Sequence, residues 1–133
     1  MFFVGGKVAI VTGGVQGIGL AIVKELLQND AKGIAIFDIK ADLGERVVEE
    51  INDKFGPGKV IFLNVDVRHR NEVECAMEKT VAHFKHLDIV VNNAGIFNDI
   101  EWEKSIKVNL VGYFINAYDF SSIFRPEHVM ELY

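Results

Sequence analysis

The sequence has few cysteines, few prolines and fewer basic than acidic residues. Among its 133 residues are 2 prolines and one cysteine, Cys75, which excludes an internal disulfide and a cysteine-rich zinc site and favours a reducing compartment such as the cytoplasm. The 14 Lys and Arg against 19 Asp and Glu make a formal charge of −5, so a nucleic acid or an anionic membrane has no electrostatic support as a partner. No apolar run approaches the roughly 20 residues of a membrane span.

Short apolar runs alternate with amphipathic stretches along the chain. The runs are Lys7–Thr12, Gly33–Asp38, Val60–Val65 and Leu87–Val91. Their continuous hydrophobicity is typical of strands that are covered on both faces in a parallel sheet. Strands and helices in alternation predict right-handed crossovers and a Rossmann-like, doubly wound α/β fold. We expect the spatial order 3-2-1-4, with the order reversing beside the first strand.

Apolar stripes predict the helices between these strands. The stripes are Ile18, Ala21, Ile22 and Leu26 in the first helix, Leu43, Val47, Ile51 and Phe55 in the second, and Val73, Ala76, Met77, Thr80, Val81 and Phe84 in the third. A fourth helix is predicted over about residues 101–118. Its apolar residues lie on two sides, which predicts that both sides are buried, one against the sheet and the other against a further element or a partner. After Phe120 the pattern predicts neither a fifth strand nor a strong helix.

The stretch TGGVQGIG, residues 12–19, joins the first strand to the first helix. In an open parallel sheet, ligands bind where the strand order reverses, and a helix N-terminus at that point offers N–H groups to an anion. Gly13 permits a tight turn, Gly17 lets a diphosphate approach the backbone, and Gly19 lets the helix pack close to the strand. By itself this glycine spacing is just as typical of a purely structural turn.

Two acidic residues favour a dinucleotide over a structural turn. Asp38 closes the second strand nineteen residues after Gly19, where a carboxylate accepts hydrogen bonds from the adenosine ribose. The same carboxylate would repel a 2′-phosphate, and Lys40 is the only cation expected nearby, so we predict NAD rather than NADP. Asp66 closes the third strand and is placed to meet the adenine. As isolated residues, both would more often be solvated loop acids.

Four motifs in order resemble those of the classical short-chain dehydrogenases/reductases. They are TGxxxGxG at residues 12–19, Asp66-Val67 after the third strand, Asn92-Asn93-Ala94-Gly95 after the fourth, and Asn109 in KVNLVG. Within the family the sequence is most similar to NAD-dependent 15-hydroxyprostaglandin dehydrogenases and insect-type alcohol dehydrogenases. The resemblance covers roughly the first 120 residues and implies an alcohol or ketone substrate for the full-length family.

The resemblance also implies a role for each matched residue. Those that would cradle the diphosphate are Gly13, Gln16, Gly17, Ile18 and Gly19. Asp38 would hold the ribose, while Asp66 and the backbone of Val67 would flank the adenine. Asn93 and Gly95 would line the ribose on the nicotinamide side, and Asn92 would steady the central sheet. The alternative for the NNAG run alone is a polar turn after a strand.

The catalytic residues that the resemblance implies are largely missing from this sequence. In the family a tyrosine takes the alcohol proton, a lysine four residues later lowers its pKa, and a serine polarises the oxygen. None of the three tyrosines, Tyr113, Tyr118 and Tyr133, is followed by a lysine at that spacing. Nothing strand-like precedes Ser121 and Ser122, so neither is assigned as the family serine. Asn109, which would support a water relay to the lysine, is the only catalytic residue that we identify.

Three other residues with reactive or metal-binding side chains are assigned no chemistry. His83 and His86 share the face of a predicted helix but have no acidic third ligand, so we predict a solvated surface and no metal site. Cys75 is interpreted as a packing residue of the third helix.

The sequence therefore predicts a dinucleotide-binding part, residues 1–120, and a divergent tail, residues 121–133. We interpret the chain as a truncated dehydrogenase without turnover of its own. The alternatives are a catalytically silent nucleotide-binding or dimerisation module and a truncated product that does not fold stably. An open edge on the fourth strand and an uncovered fourth helix predict homo- or hetero-association through about residues 101–118.

Overall fold

A parallel sheet forms the centre of the structure, a computed structural model that describes residues 3–96, 101–111 and 130–132. Its strands are β1 (Val8–Thr12), β2 (Gly33–Asp38), β3 (Val60–Asn64), β4 (Ile89–Val91) and β5 (Met130–Leu132). They lie in the order β3-β2-β1-β4-β5, and every neighbouring pair is parallel. The predicted order 3-2-1-4 is confirmed, with strand ends that differ from the predicted ones by at most two residues.

Helices connect the strands as the alternating pattern predicts. They are α1 (Gly17–Gln28), α2 (Ala41–Phe55), α3 (Arg70–Phe84) and the short α4 (Trp102–Ile106), which continues as a π-helix over Lys107–Val111. The rest of the fourth helix predicted over 101–118 lies outside the described residues. Within the described residues, no helix combines the length and the hydropathy that a bilayer crossing requires.

The core consists of two hydrophobic layers, one on each face of the sheet. Alternate residues of the central strands point to opposite faces, so that Ile34 and Ile36 pack with α1 and α2, whereas Ala35 and Phe37 pack with α3. All five residues of β1 are buried. The continuous hydrophobicity of these strands is thus explained by burial on both faces.

Two of the three predicted helix stripes are confirmed, and the first is correct at two of its four residues. The stripes of α2 and α3 are buried or partly buried as predicted. In α1, Leu26 is buried and Ile22 is partly buried as predicted, whereas Ile18 is 75% exposed and Ala21 is exposed as well. The other buried residues are Gly19, Val23 and Leu27. Ile18, in the first turn of α1, lines a cavity rather than the core.

The strand β5 corrects the expectation that residues 121–133 contain no fifth strand. Met130 and Leu132 stand in register with Ile89 and Val91 of β4, so the edge of β4 that we expected to be open is paired. A strand edge presents a row of unpaired N–H and C=O groups, and a segment of three residues can satisfy them without showing any hydrophobic period. Ser121 and Ser122 lie outside the described residues.

We predict that Gly33→Ala destabilises the fold. A Cβ on Gly33 would overlap the ring of Phe84, which is buried in the layer beneath α3. Overpacking of this kind costs about 1–3 kcal/mol, so the midpoint of urea unfolding should fall. Gly5→Ala is the matched control, because no atom lies within 4 Å of its Cβ position. Equal midpoints for the two variants would contradict the packing described here.

Candidate functional site

A cavity of about 560 Å³ opens at the carboxyl ends of the central strands. The residues that line it come from the turns after β1 and β2, the loops after β3 and β4, and the segment from α4 into the π-helix: Gly13, Gln16, Gly17, Ile18, Phe37, Asp38, Ile39, Lys40, Val65, Asp66, Val67, Arg68, Asn93, Ala94, Gly95, Ile96, Lys104 and Val108. The cavity therefore lies where the strand order reverses, the position at which open α/β sheets bind ligands.

At Gly13 and Gly17 the glycine turn presents only backbone to this cavity. Gly17 has φ +57°, a conformation that favours glycine, and no atom lies within 4 Å of its Cβ position. Gln16 precedes α1 with extended backbone and forms no side-chain cap. The first N–H groups of α1 have no acceptor within the helix, so donors remain at the wall of the cavity.

The beginning of α1 packs very closely against the turn after β1. A Cβ on Gly19 would overlap the carbonyl oxygen of Gly13 and the side-chain amide of Asn93. Gly13 itself has φ +68°. The geometry thus agrees with the roles that the sequence assigned to these glycines in the turn and in close packing.

Hydrogen bonds to Thr12 join the ends of β1 and β4. Thr12 is 1% exposed. Its hydroxyl oxygen accepts from the backbone N–H groups of Asn93 (3.0 Å) and Ala94 (2.9 Å), and the hydroxyl donates to the carbonyl of Val91 (3.4 Å). The side-chain amide of Asn93 donates back to the carbonyls of Thr12 and Gly13, both at 3.2 Å. Together these bonds hold the loop after β4 against the glycine turn.

The structure assigns the sheet-steadying contacts to the second of the two neighbouring asparagines rather than to the first. The contacts that steady the sheet, predicted for Asn92, are made by Asn93, which also lines the cavity together with Gly95. Asn92 does not line the cavity, and its buried Nδ2 has no hydrogen-bond partner among the described residues. Which of two adjacent side chains faces β1 depends on the path of the loop, which the motif does not specify.

Asp38 occupies the position that the sequence predicted, at the end of β2 and in the cavity wall. Its Oδ1 accepts a hydrogen bond from the backbone N–H of Lys40 at 3.0 Å. This local turn directs the carboxylate along the rim of the cavity, close to the glycine turn of the neighbouring strand.

The loop after β3 carries Asp66 and Val67, which both line the cavity. Asp66 is ion-paired with Arg68, and the hydrogen bond from the Arg68 side chain holds the pKa of the Asp66 carboxyl below its ordinary value. Glu72, in the first turn of α3, accepts a hydrogen bond from the backbone N–H of Asp66 at 2.8 Å, which lowers the pKa of Glu72 in turn. The carboxylates of Asp66 and Glu72 therefore hold the loop after β3 in place.

Sequence reasoning missed two cations of the site. Arg68 and Lys104 line the cavity beside Lys40, so the expectation that Lys40 is the only nearby cation is wrong. Arg68 follows a strand-closing acid by two residues, a spacing that could have indicated the ion pair. Lys104 reaches the cavity from α4, and no local signal indicates that approach.

Asn109 lies on the π-helix and is tied to the loop after β4. Its Oδ1 accepts from the backbone N–H of Ile96 and its Nδ2 donates to the carbonyl of the same residue, both at 2.7 Å. Asn109 does not itself line the cavity, whereas Val108 does. A single π-helical turn within a helix is frequent at functional sites.

The remaining candidates lie away from the cavity. Cys75 is exposed rather than packed, which corrects its prediction. His83 and His86 do not share a helix face, because α3 ends at Phe84. The Nε2 of His83 lies 3.4 Å from a backbone carbonyl, and the Nδ1 of His86 lies 2.7 Å from a carboxylate of the same loop.

The sequence matches the short chain dehydrogenase family over residues 7–127. The chain belongs to this family. Its motifs therefore identified the family correctly. The 15-hydroxyprostaglandin dehydrogenase (NAD+) of Macaca fascicularis is 41% identical over 115 residues, which cover 86% of this chain and 43% of that protein. The chain thus spans about half the length of the curated relatives that it matches.

Other short chain dehydrogenases show the same relationship. A 3-oxoacyl-(acyl-carrier-protein) reductase of Chlamydia pneumoniae is 37% identical over 128 residues, covering 90% of this chain and 49% of that protein. The crystal structure of a short chain dehydrogenase/reductase of Burkholderia phymatum, determined in complex with NAD, superimposes with a TM-score of 0.87 at 22% identity. The superposition covers 98% of this chain and 50% of the Burkholderia chain. At 22% identity this likeness supports the fold alone.

We predict that Thr12→Val destabilises the protein more than Thr80→Val. At position 12 the change leaves the backbone N–H of Ala94 without its acceptor, which costs about 1–3 kcal/mol, and it leaves the N–H of Asn93 with only the carbonyl of Val91 at 3.1 Å. The Thr80 hydroxyl is equally buried but only donates to the carbonyl of Ala76 within α3. Its removal leaves no N–H group without an acceptor, so it should cost less, about 1 kcal/mol or below. Thermal melts of the two isosteric variants make the comparison, and matching losses would mean that the hydroxyl of Thr12 does not join the two strands.

Proposed function

We propose that the cavity binds NAD and that residues 1–120 are the NAD-binding part of a dehydrogenase that oxidises a secondary alcohol to a ketone. The observation that supports this most strongly is that Asp38 and the backbone of Gly17 line one cavity. An acceptor for ribose hydroxyls thereby stands beside donors for a diphosphate. The macaque relative, which is named for NAD, supports the choice of cofactor.

The arrangement of the cavity fits the successive parts of a dinucleotide. Asp66 and Val67 would flank the adenine, and Asn93 and Gly95 would line the ribose next to the nicotinamide. Three cations and two carboxylates line the cavity of a chain whose formal charge is −5. This local excess of positive charge favours an anionic diphosphate.

The bound nicotinamide would accept a hydride from the alcohol carbon, and the alcohol proton would need a separate acceptor. Within the sequence, none of the tyrosines has a lysine four residues later. Asn109 acts as a positioning residue, because its amide holds the backbone of Ile96 at the cavity wall. The substrate class that we propose is a hydroxyprostaglandin-like or small secondary alcohol, after the macaque relative.

The second candidate function is a nucleotide-binding module that associates with another protein through about residues 101–118. The missing Tyr-x-x-x-Lys pair favours it, because binding would then occur without turnover.

We propose a cytoplasmic location for either candidate. The exposed thiol of Cys75 is consistent with a reducing compartment.

We predict that Asp38→Ala weakens binding of NADH about tenfold or more, as expected for loss of a charge-assisted hydrogen bond. Binding of NADPH should change less, because the substitution also removes the repulsion of the 2′-phosphate. Cofactor fluorescence titrations measure both constants. Asp53→Ala is the matched control, since that residue is an exposed acid of α2 outside the cavity. Equal losses for the two cofactors would contradict the assignment of Asp38 to the ribose.

We also predict saturable binding of NADH without alcohol-dependent reduction of NAD by this chain alone. A thermal melt with and without NAD should show an upward shift, since a ligand that binds only the folded state stabilises it. Absorbance at the NADH band, recorded with a panel of secondary alcohols, measures turnover. Sustained NADH formation by protein freed of contaminating enzymes would show that another group takes the proton.

A further inference from the structure

We propose that Asn64 is a positioning residue of the nucleotide site, which orients the carboxylate of Asp38 for the ribose through the peptide group between Ile39 and Lys40. Asn64 is the last residue of β3 and does not itself line the cavity. The inference rests on the proposed NAD site and names a residue outside the cavity lining on which the affinity and selectivity of that site depend.

The side-chain amide of Asn64 bridges two successive peptide groups of the turn after β2. Its Nδ2 donates to the carbonyl of Asp38 at 3.2 Å and to that of Ile39 at 3.1 Å. An asparagine amide has two N–H donors, so each carbonyl can receive one of them. The backbone N–H of Val65, the next residue in the chain, donates to the same carbonyl of Asp38 at 3.1 Å. Asn64 and Val65 thus hold the turn by these three hydrogen bonds.

The second of these peptide groups makes the contact that orients the Asp38 side chain. The carbonyl of Ile39 and the N–H of Lys40 belong to one planar group, and that N–H donates to the Oδ1 of Asp38 at 3.0 Å. An aspartate that accepts from the N–H two residues later forms a local turn of its own. Because the group is planar, the bond from Asn64 to its carbonyl also fixes the direction of the N–H that holds the carboxylate.

The turn itself is exposed, so packing contributes little to its conformation. Ile39 is 60% exposed, and Lys40 is exposed as well. The carbonyl of Lys40 accepts from the N–H of Gly44 in the first turn of α2 at 2.9 Å, which anchors the side of the turn that leads into the helix. On the side of the sheet, the anchor is Asn64 together with Val65.

The end of β2 is also joined to the glycine turn. The N–H of Gly13 donates to the carbonyl of Phe37, directly before Asp38, at 2.7 Å. The acceptor proposed for the ribose therefore keeps a fixed place beside the donors proposed for the diphosphate as long as the turn after β2 keeps its conformation. A site that is already in its binding conformation loses less conformational entropy when the ligand binds. Asn64 should thus contribute to affinity without touching the ligand.

The test measures the dissociation constants of NADH and NADPH by cofactor fluorescence, below the melting midpoint of every variant. Asn64→Ala removes both side-chain bonds to the turn, and NADH binding should weaken about fivefold, the factor that corresponds to one ordinary hydrogen bond. NADPH binding should weaken less, because a carboxylate that is no longer held in place repels the 2′-phosphate less. The preference for NADH should therefore narrow.

Asn52→Ala is the matched control. The Asn52 side chain also bonds to the backbone of β3, donating to the carbonyl of Val60 at 3.0 Å and accepting from its N–H at 2.9 Å. Val60 begins β3, so these bonds lie at the opposite end of the strand from the cavity. Asn52→Ala should lower the melting temperature at least as much as Asn64→Ala and leave both dissociation constants unchanged. Equal weakening of NADH binding by the two variants would indicate a general loss of stability and would overturn the proposal.

A double-mutant cycle tests whether Asn64 acts through Asp38. In the Asp38→Ala chain there is no carboxylate to orient, so the addition of Asn64→Ala should weaken NADH binding further by less than about twofold. A further loss of about fivefold in that background, the same as in the unaltered chain, would overturn the proposal.

Two conservative variants keep the test decisive if Asn64→Ala folds poorly. Asn64→Gln retains two N–H donors on a longer side chain, whereas Asn64→Ser retains a single donor on a shorter one. NADH should bind more tightly to Asn64→Gln than to Asn64→Ser. Equal dissociation constants for these two variants would count against the role of the amide and overturn the proposal.

The outcomes separate this inference from the proposed function. Unchanged NADH binding by Asn64→Ala would overturn the role of Asn64 and leave the NAD site intact. Saturable NADH binding by none of the chains, the unaltered one included, would overturn the proposed function and this inference with it.

Discussion

The first turn of α1 packs directly on the carbonyl oxygen of Gly13, and the shape of the cavity depends on that contact. A side chain at Gly19 would overlap this oxygen, and the amide of Asn93 bonds to the same oxygen at 3.2 Å. One backbone atom therefore locates the helix, the turn after β1 and the loop after β4 relative to one another. Because the helix starts so close to the sheet, its first N–H groups form part of the cavity wall.

Asp38, which ends β2, and Asp66, which follows β3, both lie in the cavity wall but make different contacts within their own loops. Both are bonded to a residue two positions later, but the described contacts of Asp38 involve a single oxygen and a backbone N–H, from Lys40. The contacts of Asp66 involve both oxygens and the side chain of Arg68. Asp38 therefore has more free acceptor positions on its carboxylate than Asp66 has.

The cavity wall is formed mainly by the connections between the strands. Most of the cavity wall comes from turns and loops within residues 13–96, together with a few residues of 104–108. Most of the cavity lining therefore belongs to the segments that follow β1, β2, β3 and β4. The chain spans 43% of its macaque relative.

Local signals in the sequence determined the strands, their order, the glycine turn and the position of Asp38, because apolar runs and glycine spacing describe the chain over a few residues. Tertiary structure decided that Ile18 faces the cavity, that Asn93 joins β4 to β1, that Arg68 enters the site and that Met130–Leu132 completes the sheet. Thr12 and Asn93 are 81 residues apart in the chain. Contacts across such separations depend on where the neighbouring elements lie in space, and no local pattern of residues records that.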